Sequence, residues 1–331
     1  MASLYPFRFD PLLKRYLWGG RRLGTELGKP IDFGTDYAES WDVADHGSDQ
    51  TVVANGPLRG TSLAELVRLH GPQLFGRHSP QQRFPLLFKY LDCHRVLSLQ
   101  VHPNDAAAAL LNPPDFGKTE AWLILDAQPG AVVYAGLKPG LNRQSFEREV
   151  RAGRIEGCMS QFEPKAGDCI FLPAGAVHAL GAGLLVAEVQ QASNTTYRLH
   201  DWSRVGPDGK PRDLHIDQAL AVIDYSYCDI RPQTPQSTER PSVERLVACD
   251  KFVLDRWLLH DEQTVGGDGR FHLLSVIEGE MTVTTHEQSE PGDDVSSLML
   301  TRGQTILLPA SLPEARATPH AQCTVIDMYL P

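Results

Sequence analysis

Gly167-Asp-Cys-Ile-Phe-Leu-Pro-Ala-Gly175 returns near the far end of the chain as Gly303-Gln-Thr-Ile-Leu-Leu-Pro-Ala-Ser311, with five of nine positions identical. Each copy is a short apolar run between a glycine and a proline, which is the grammar of a strand entered by one turn and closed by another. Each also follows a strand, turn, strand segment, Trp122-Leu-Ile-Leu-Asp in the first case and Leu274-Ser-Val-Ile-Glu-Gly-Glu in the second. A duplicated β-barrel explains such an echo, because two copies of one strand unit keep the residues that their turns and cores require. The fold is therefore expected to be mainly β.

Working outward from the first copy, Tyr37-Ala-Glu-Ser-Trp-Asp-Val reads as a strand within a β-rich entry segment. Ser62 three residues before Glu65 makes a capping box, and Leu63, Leu66 and Val67 form an apolar stripe. This predicts a helix that Gly71 ends. Phe84-Pro-Leu-Leu-Phe-Lys-Tyr-Leu and Arg95 to His102 read as buried strands, the second stopped by Pro103, with a short helix from Asp105. Glu120-Ala-Trp-Leu-Ile-Leu and Ala131-Val-Val-Tyr-Ala are two more strands; the turn-rich Asp126-Ala-Gln-Pro-Gly130 between them predicts a hairpin. Helices are expected near 144–151 and over 216–223. The proline-punctuated Arg231 to Pro241 reads as a linker, giving domains 1–235 and 236–331.

With 331 residues, 42% hydrophobic and 22% charged, the chain can bury a large core. The formal net charge of -10 argues against a nucleic-acid or anionic-membrane surface, since phosphate backbones attract clustered Lys and Arg. The N-terminus lacks a basic segment followed by an apolar one, and no run is long and apolar enough to span a bilayer, so a cytoplasmic location is expected. Six cysteines without a Cys-x-x-Cys pair read as reduced thiols, with Cys93 a small buried side chain.

The chemistry lies in three short segments: Gln100 and His102 in Leu97-Ser-Leu-Gln-Val-His-Pro, Glu120 in Lys118-Thr-Glu-Ala-Trp, and His178 in Pro173-Ala-Gly-Ala-Val-His. Two imidazoles, a carboxylate and an amide oxygen form a mixed N/O set suited to Zn²⁺ or a neighbouring divalent ion. Alternation along a strand points Ser98, Gln100 and His102 to one face and Val101 to the other. The same alternation sets Lys118 beside Glu120. A rigid strand end is a good place to hold a ligand.

Phe84-Pro-Leu-Leu-Phe-Lys89, Leu97-Ser-Leu-Gln-Val-His-Pro-Asn-Asp105, Lys118-Thr-Glu-Ala-Trp122 and Pro173-Ala-Gly-Ala-Val-His-Ala179 together resemble the type I mannose-6-phosphate isomerases of the cupin superfamily, in their compact bacterial form. The resemblance covers residues from about 5 to 225. It implies two cupin (jelly-roll) barrels with a few helices on the N-terminal one, and one Zn²⁺ per chain on Gln100, His102, Glu120 and His178. It also implies an active-site arginine at Arg198, after Ser193-Asn-Thr-Thr-Tyr, and a glutamate ten residues earlier at Glu188. Lys89, Ser98, Lys118 and Asn194 are similar to the family's substrate and phosphate contacts. The implied reaction interconverts mannose 6-phosphate and fructose 6-phosphate through a cis-enediol, with a sugar phosphate as the only partner; a monomer is expected, with a homodimer as the alternative.

On this reading Glu188 is the base, its carboxyl raised toward the working pH by desolvation. Trp18 and Trp41 are core and edge packing. Two other readings stay open: an iron-dependent cupin oxygenase using His, Glu and His as a facial triad, and a sugar-binding cupin without turnover. In the second copy Glu314 falls where His178 stands in the first, so that barrel is expected to lack the metal, with His272 and His286 as surface or packing residues.

Overall fold

The computed structural model describes residues 4–206, 209–285 and 296–331. The chain is mainly β and forms two jelly-roll units. In the first, a six-stranded sheet runs Cys169–Leu172, Glu120–Ala127, Leu184–Gln191, Leu86–Cys93, Tyr37–Val43, Leu12–Gly20. It faces a five-stranded sheet ordered Met159–Phe162, Val133–Leu137, His178–Leu180, Leu99–Val101, Tyr197–His200. The second unit pairs a six-stranded sheet, from Gln236–Ser237 to Thr305–Leu308, with a four-stranded one.

The sequence echo holds residue by residue in the ladders. Cys169–Leu172 is an edge strand on which Trp122 pairs with Ile170 and Glu120 with Leu172. In the second unit Leu274 pairs with Ile306 and His272 with Leu308. Each unit fills its own interior with alternate residues of these strands, Leu91, Trp122, Ile124 and Val186 in one, Trp257, Leu274, Val276 and Val325 in the other.

The opposite faces of the two six-stranded sheets meet in a shared core. Phe75, Phe84, Phe88 and Leu185 from the first unit pack there with Phe252, Phe271, Leu273, Ile326 and Met328 from the second. Phe271 touches both Phe84 and Phe75, at ring separations of 4.9 and 6.1 Å. A polar thread crosses the same seam: the Lys29 ammonium donates to Asp42 at 2.5 Å and to the Gly303 carbonyl at 2.6 Å, and the Thr305 hydroxyl donates to Asp42 at 2.8 Å. Gly303 (φ +83°) is required here, because a Cβ would stand 2.3 Å from the Leu27 carbonyl oxygen.

Three sequence expectations need correction. Ser62 and Glu65 form the capping box, but the helix runs Leu63–Phe75 past Gly71. His70 leaves helical geometry (φ -130°, ψ 19°), and Pro72, which has no N–H to lose in a first turn, restarts the helix. Glu120–Ala127 and Val133–Leu137 are both strands, yet they lie in different sheets. The turn signal between them marks a crossing from one face of the barrel to the other, since chain reversal alone does not dictate pairing. Arg95 to His102 is strand only over Leu99–Val101.

The remaining elements follow their local chemistry. Asn142 caps Arg143–Arg151 through a box with Ser145, and Ile216–Val222 forms the last helix among the described residues. No helix among the described residues is long and apolar enough to cross a membrane. Cys93 is fully buried in the first barrel.

In the second unit His272 is a buried ion-paired residue. Its Nδ1 lies 2.9 Å from Asp327 and its Nε2 3.3 Å from Asp268. Burial disfavours the imidazolium, but the two carboxylates outweigh it and hold the pKa up at about 10. A pKa raised on folding stabilises fully below the unfolded value of 6.5, and that stability drains away as pH climbs toward 10. His272→Ala is therefore expected to cost about 3–5 kcal/mol near pH 7 by leaving buried carboxylates unpaired. The penalty should shrink toward pH 10, as read from thermal melts of both proteins across that range. His286 lies outside the described residues.

Candidate metal centre and active site

Three side chains converge at the mouth of the first barrel. Leu99–Val101 runs beside His178–Leu180 with Gln100 directly opposite His178, and Tyr197–His200 flanks it on the other side with Arg198 opposite Gln100. The chain just past the strand end carries His102 to the same mouth, while Val101 lies in the core cluster that holds Phe146 and Leu199. Glu120 enters from the facing six-stranded sheet. The ligand atoms of His102, Glu120 and His178 lie within 4.8 Å of one another, and all three residues are buried.

The hydrogen bonds behind the two histidines decide their tautomers. His102 Nδ1 lies 2.9 Å from the Thr195 carbonyl and His178 Nδ1 lies 3.0 Å from the Ala176 carbonyl. A carbonyl only accepts, so each Nδ1 is the donor and each Nε2 carries a lone pair into the site. The two Nε2 atoms face each other at 3.2 Å, and His178 Nε2 faces Glu120 Oε1 at 3.2 Å. No donor reaches Glu120 Oε1. Three electron-rich atoms crowded in a buried space repel one another unless a cation stands between them, so the residues present fit a divalent metal. Gln100 sets its amide 3.4 Å from His178 Nε2, and turning the amide offers Oε1 as a fourth donor.

Burial also prepares the ligand charges. Desolvation, with Lys118 beside it, pushes His178 down to about 3, and the same causes hold His102 well below its usual range. Both are neutral, the form that binds a metal. Desolvation lifts Glu120 to about 7 against the pull of Lys118, with the Glu188 carboxylate adding to the rise.

A cavity of about 280 Å³ opens above these ligands. The residues matched to substrate and catalytic positions all line it, Lys89, Ser98, Lys118, Glu188, Asn194 and Arg198, together with Gln100. Lys118 Nζ sits 2.5 Å from Glu120 and 3.0 Å from His102 Nε2, as strand alternation implied. Lys89 Nζ lies 3.1 Å from Glu188 and 3.5 Å from Glu39. The Trp122 indole donates to Glu188 at 3.0 Å.

Glu188 departs from expectation in one respect. Burial does push its carboxyl up, but Lys89 and Lys118 outweigh burial and leave it lowered, hence ionised. Arg198 donates to the Asp213 carbonyl at 2.8 Å, while the nearby Asp201 is taken by Arg204 and Arg212.

Sequence reasoning missed Glu39, Arg212, Tyr16 and Thr196, which also line the cavity, and it read Trp18 as packing alone although Trp18 forms part of the wall. Glu39 was findable, because it alternates with Trp41 on a strand; Arg212 follows Arg198 by a loop and carries no local signal.

Comparison with known proteins agrees with this geometry. Residues 6–119 match the family profile for the phosphomannose isomerase type I catalytic domain, and residues 242–328 match the profile for the mannose-6-phosphate isomerase cupin domain. The mannose-6-phosphate isomerase ManA of Bacillus subtilis is 34% identical over 330 residues, 97% of this chain and 98% of its own length. The mannose-6-phosphate isomerase of Streptococcus mutans is 31% identical over 307 residues, 93% of each. A crystal structure of the mannose 6-phosphate isomerase from Bacillus subtilis superposes with a TM-score of 0.89 at 29% identity, covering 99% of this chain and all of that one. With both profiles in order along the chain and relatives matched over nearly their whole length, the chain belongs to the type I phosphomannose isomerase family.

Proposed function

We propose that this enzyme interconverts mannose 6-phosphate and fructose 6-phosphate through a cis-enediol, using one Zn²⁺ per chain held by His102, Glu120, His178 and Gln100. The observation that carries the proposal is the convergence of two imidazole lone pairs and a carboxylate beneath Lys89, Lys118 and Arg198. When bound, the ion supplies Lewis acidity toward a sugar oxygen. With Arg212 held by Asp201, the three carboxylates of Glu39, Glu120 and Glu188 balance Lys89, Lys118 and Arg198, so a divalent ion gives the cavity the positive charge that a phosphate dianion seeks.

The residues then divide the work. Lys89, Ser98 and Asn194 grip the phosphate end and fix a flexible open-chain sugar, as far as positioning can lower the barrier. Glu188 takes the proton from C2; the C2–H electrons form the C1=C2 double bond and the C1 carbonyl becomes a hydroxyl. The proton is returned to C1 as the C2 hydroxyl becomes the ketone. Lys118, 3.8 Å from Glu188, supplies and recovers protons at the oxygens, and Arg198 stabilises developing negative charge without titrating. We assign this chemistry to residues 1–235 and a supporting role to 236–331.

Arg198→Ala is expected to lower kcat about 10²–10³-fold, the effect of deleting one donor to a developing oxyanion, with metal content unchanged. A coupled isomerase assay with metal analysis on the same sample checks it. The function itself is tested by anaerobic turnover of mannose 6-phosphate in D₂O. Solvent deuterium at C1 of the fructose 6-phosphate formed supports the enediol route. Turnover that requires oxygen points to an oxygenase, and no turnover at all points to a sugar-binding protein.

A further inference from the structure

The second barrel repeats the geometry of the first at its own mouth with different chemistry. Lys89 pairs with Glu188, and Glu188 with Trp122. In the same ladder positions Asp255 pairs with Asp327, and Asp327 with Leu274. Since Leu274 answers to Trp122 and His272 to Glu120, the second mouth carries Asp255, Asp327 and His272 where the first carries Lys89, Glu188 and Glu120. All three are at least nine-tenths buried, at 4%, 2% and 6% exposure.

These groups line an open cavity of about 930 Å³, far larger than the 280 Å³ above the metal ligands. That lies toward the upper end of ligand pockets, which run roughly 300–1,000 Å³. Its polar lining is locked in place. The Arg245 guanidinium grips both oxygens of Asp255 at 2.8 and 3.1 Å from two nitrogens, one of which also donates to Tyr329 Oη at 2.9 Å. Tyr329 Oη in turn donates to Asp255 at 2.7 Å. His272 bridges Asp327 and Asp268, and Arg270 stacks over the Tyr329 ring at 5.2 Å while lying 3.5 Å from Asp268.

We propose that this cavity is a second binding site, for a neutral carbohydrate. The buried floor offers a charged ligand no free partner, because each buried cation there already faces a carboxylate and separating such a pair in a desolvated site is costly; Arg240 and Glu239, the other charged groups of the lining, lie exposed and bring opposite charges. A neutral polyol instead uses the lone pairs and N–H groups that remain on Asp255, Asp327, Arg245 and Tyr329. Charge-assisted hydrogen bonds of this kind are about twice as strong as neutral ones, and their fixed geometry removes the ordering cost. Tyr329 and Trp257 also belong to the lining.

The test titrates the full-length protein with D-mannose, D-glucose, D-fructose and a mannose disaccharide by saturation-transfer NMR. An equilibrated mixture of mannose 6-phosphate and fructose 6-phosphate is kept saturating throughout, so that the metal-side cavity is filled. Saturable binding of at least one neutral sugar is expected, weakened about tenfold or more by Asp255→Asn, with isomerase activity unchanged. Because Asp255 is buried, Ser237→Trp provides a second variant: Ser237 is exposed on the rim of the cavity, and the indole should block binding without touching an ion pair. Absence of saturable binding in the wild type would overturn the proposal, as would binding that survives Ser237→Trp. Displacement of the sugar by inorganic phosphate would overturn the choice of a neutral ligand.

Discussion

His178→Ala is expected to strip the metal from the protein and to lower kcat/KM by more than about 10³-fold, with the fold retained. Lewis-acid assistance is worth several kcal/mol, and each 1.36 kcal/mol is tenfold in rate. The loss should be complete because the site has few donors to spare. His102 and Glu120 alone leave an incomplete set, and Gln100 contributes only an amide. The ring also holds the site's geometry, with Nδ1 fixed on the Ala176 carbonyl and one edge against Trp122. His102→Ala should behave alike. Metal content by plasma emission and the coupled assay on one preparation decide the matter. Retained metal with lost activity would make His178 a substrate group.

Glu188→Gln should lower kcat about 10²–10⁴-fold, the range for a general base, while leaving metal content as in the wild type. The substitution keeps the shape of the side chain beside Trp122 and removes the charge that Lys89 and Lys118 surround. The lysines hold Glu188 ionised across the neutral range, so the wild-type rate should not rise steeply with pH on account of this group. The discriminating readout is exchange: wild-type enzyme should wash deuterium from C2-labelled mannose 6-phosphate into water, and the variant should not. A variant that turns over slowly yet exchanges normally would move the base elsewhere and leave Glu188 as the residue that positions the lysines.

The legible parts of this molecule were those written locally. Strand alternation alone put Gln100 with His102 and Lys118 with Glu120, and the repeated Gly-x-x-Ile-x-Leu-Pro-Ala run showed two barrels whose ladders then matched residue for residue. Pairings across long sequence separations were not legible. That His178 stands opposite Gln100 follows from the topology of the five-stranded sheet; donor chemistry grouped the two residues without indicating that pairing. The false hairpin at Asp126 to Gly130 has the same origin, since a turn reveals where the chain reverses and not which strand it rejoins. The ionised state of Glu188 was hidden too: desolvation is visible in an apolar strand, whereas the two lysines that overrule it arrive from separate segments. Asp255, Asp327 and His272 carried no motif; their meaning came from their place in the second barrel.

On the proposed mechanism, one metal ion on His102, Glu120 and His178 makes the first barrel an isomerase. The most direct measurement titrates chelator-treated protein with Zn²⁺ and follows mannose 6-phosphate isomerisation at each addition. No turnover is expected without metal, followed by a linear rise that levels off at one ion per chain. Full turnover in the metal-free protein, or a plateau reached only at two ions per chain, would contradict it.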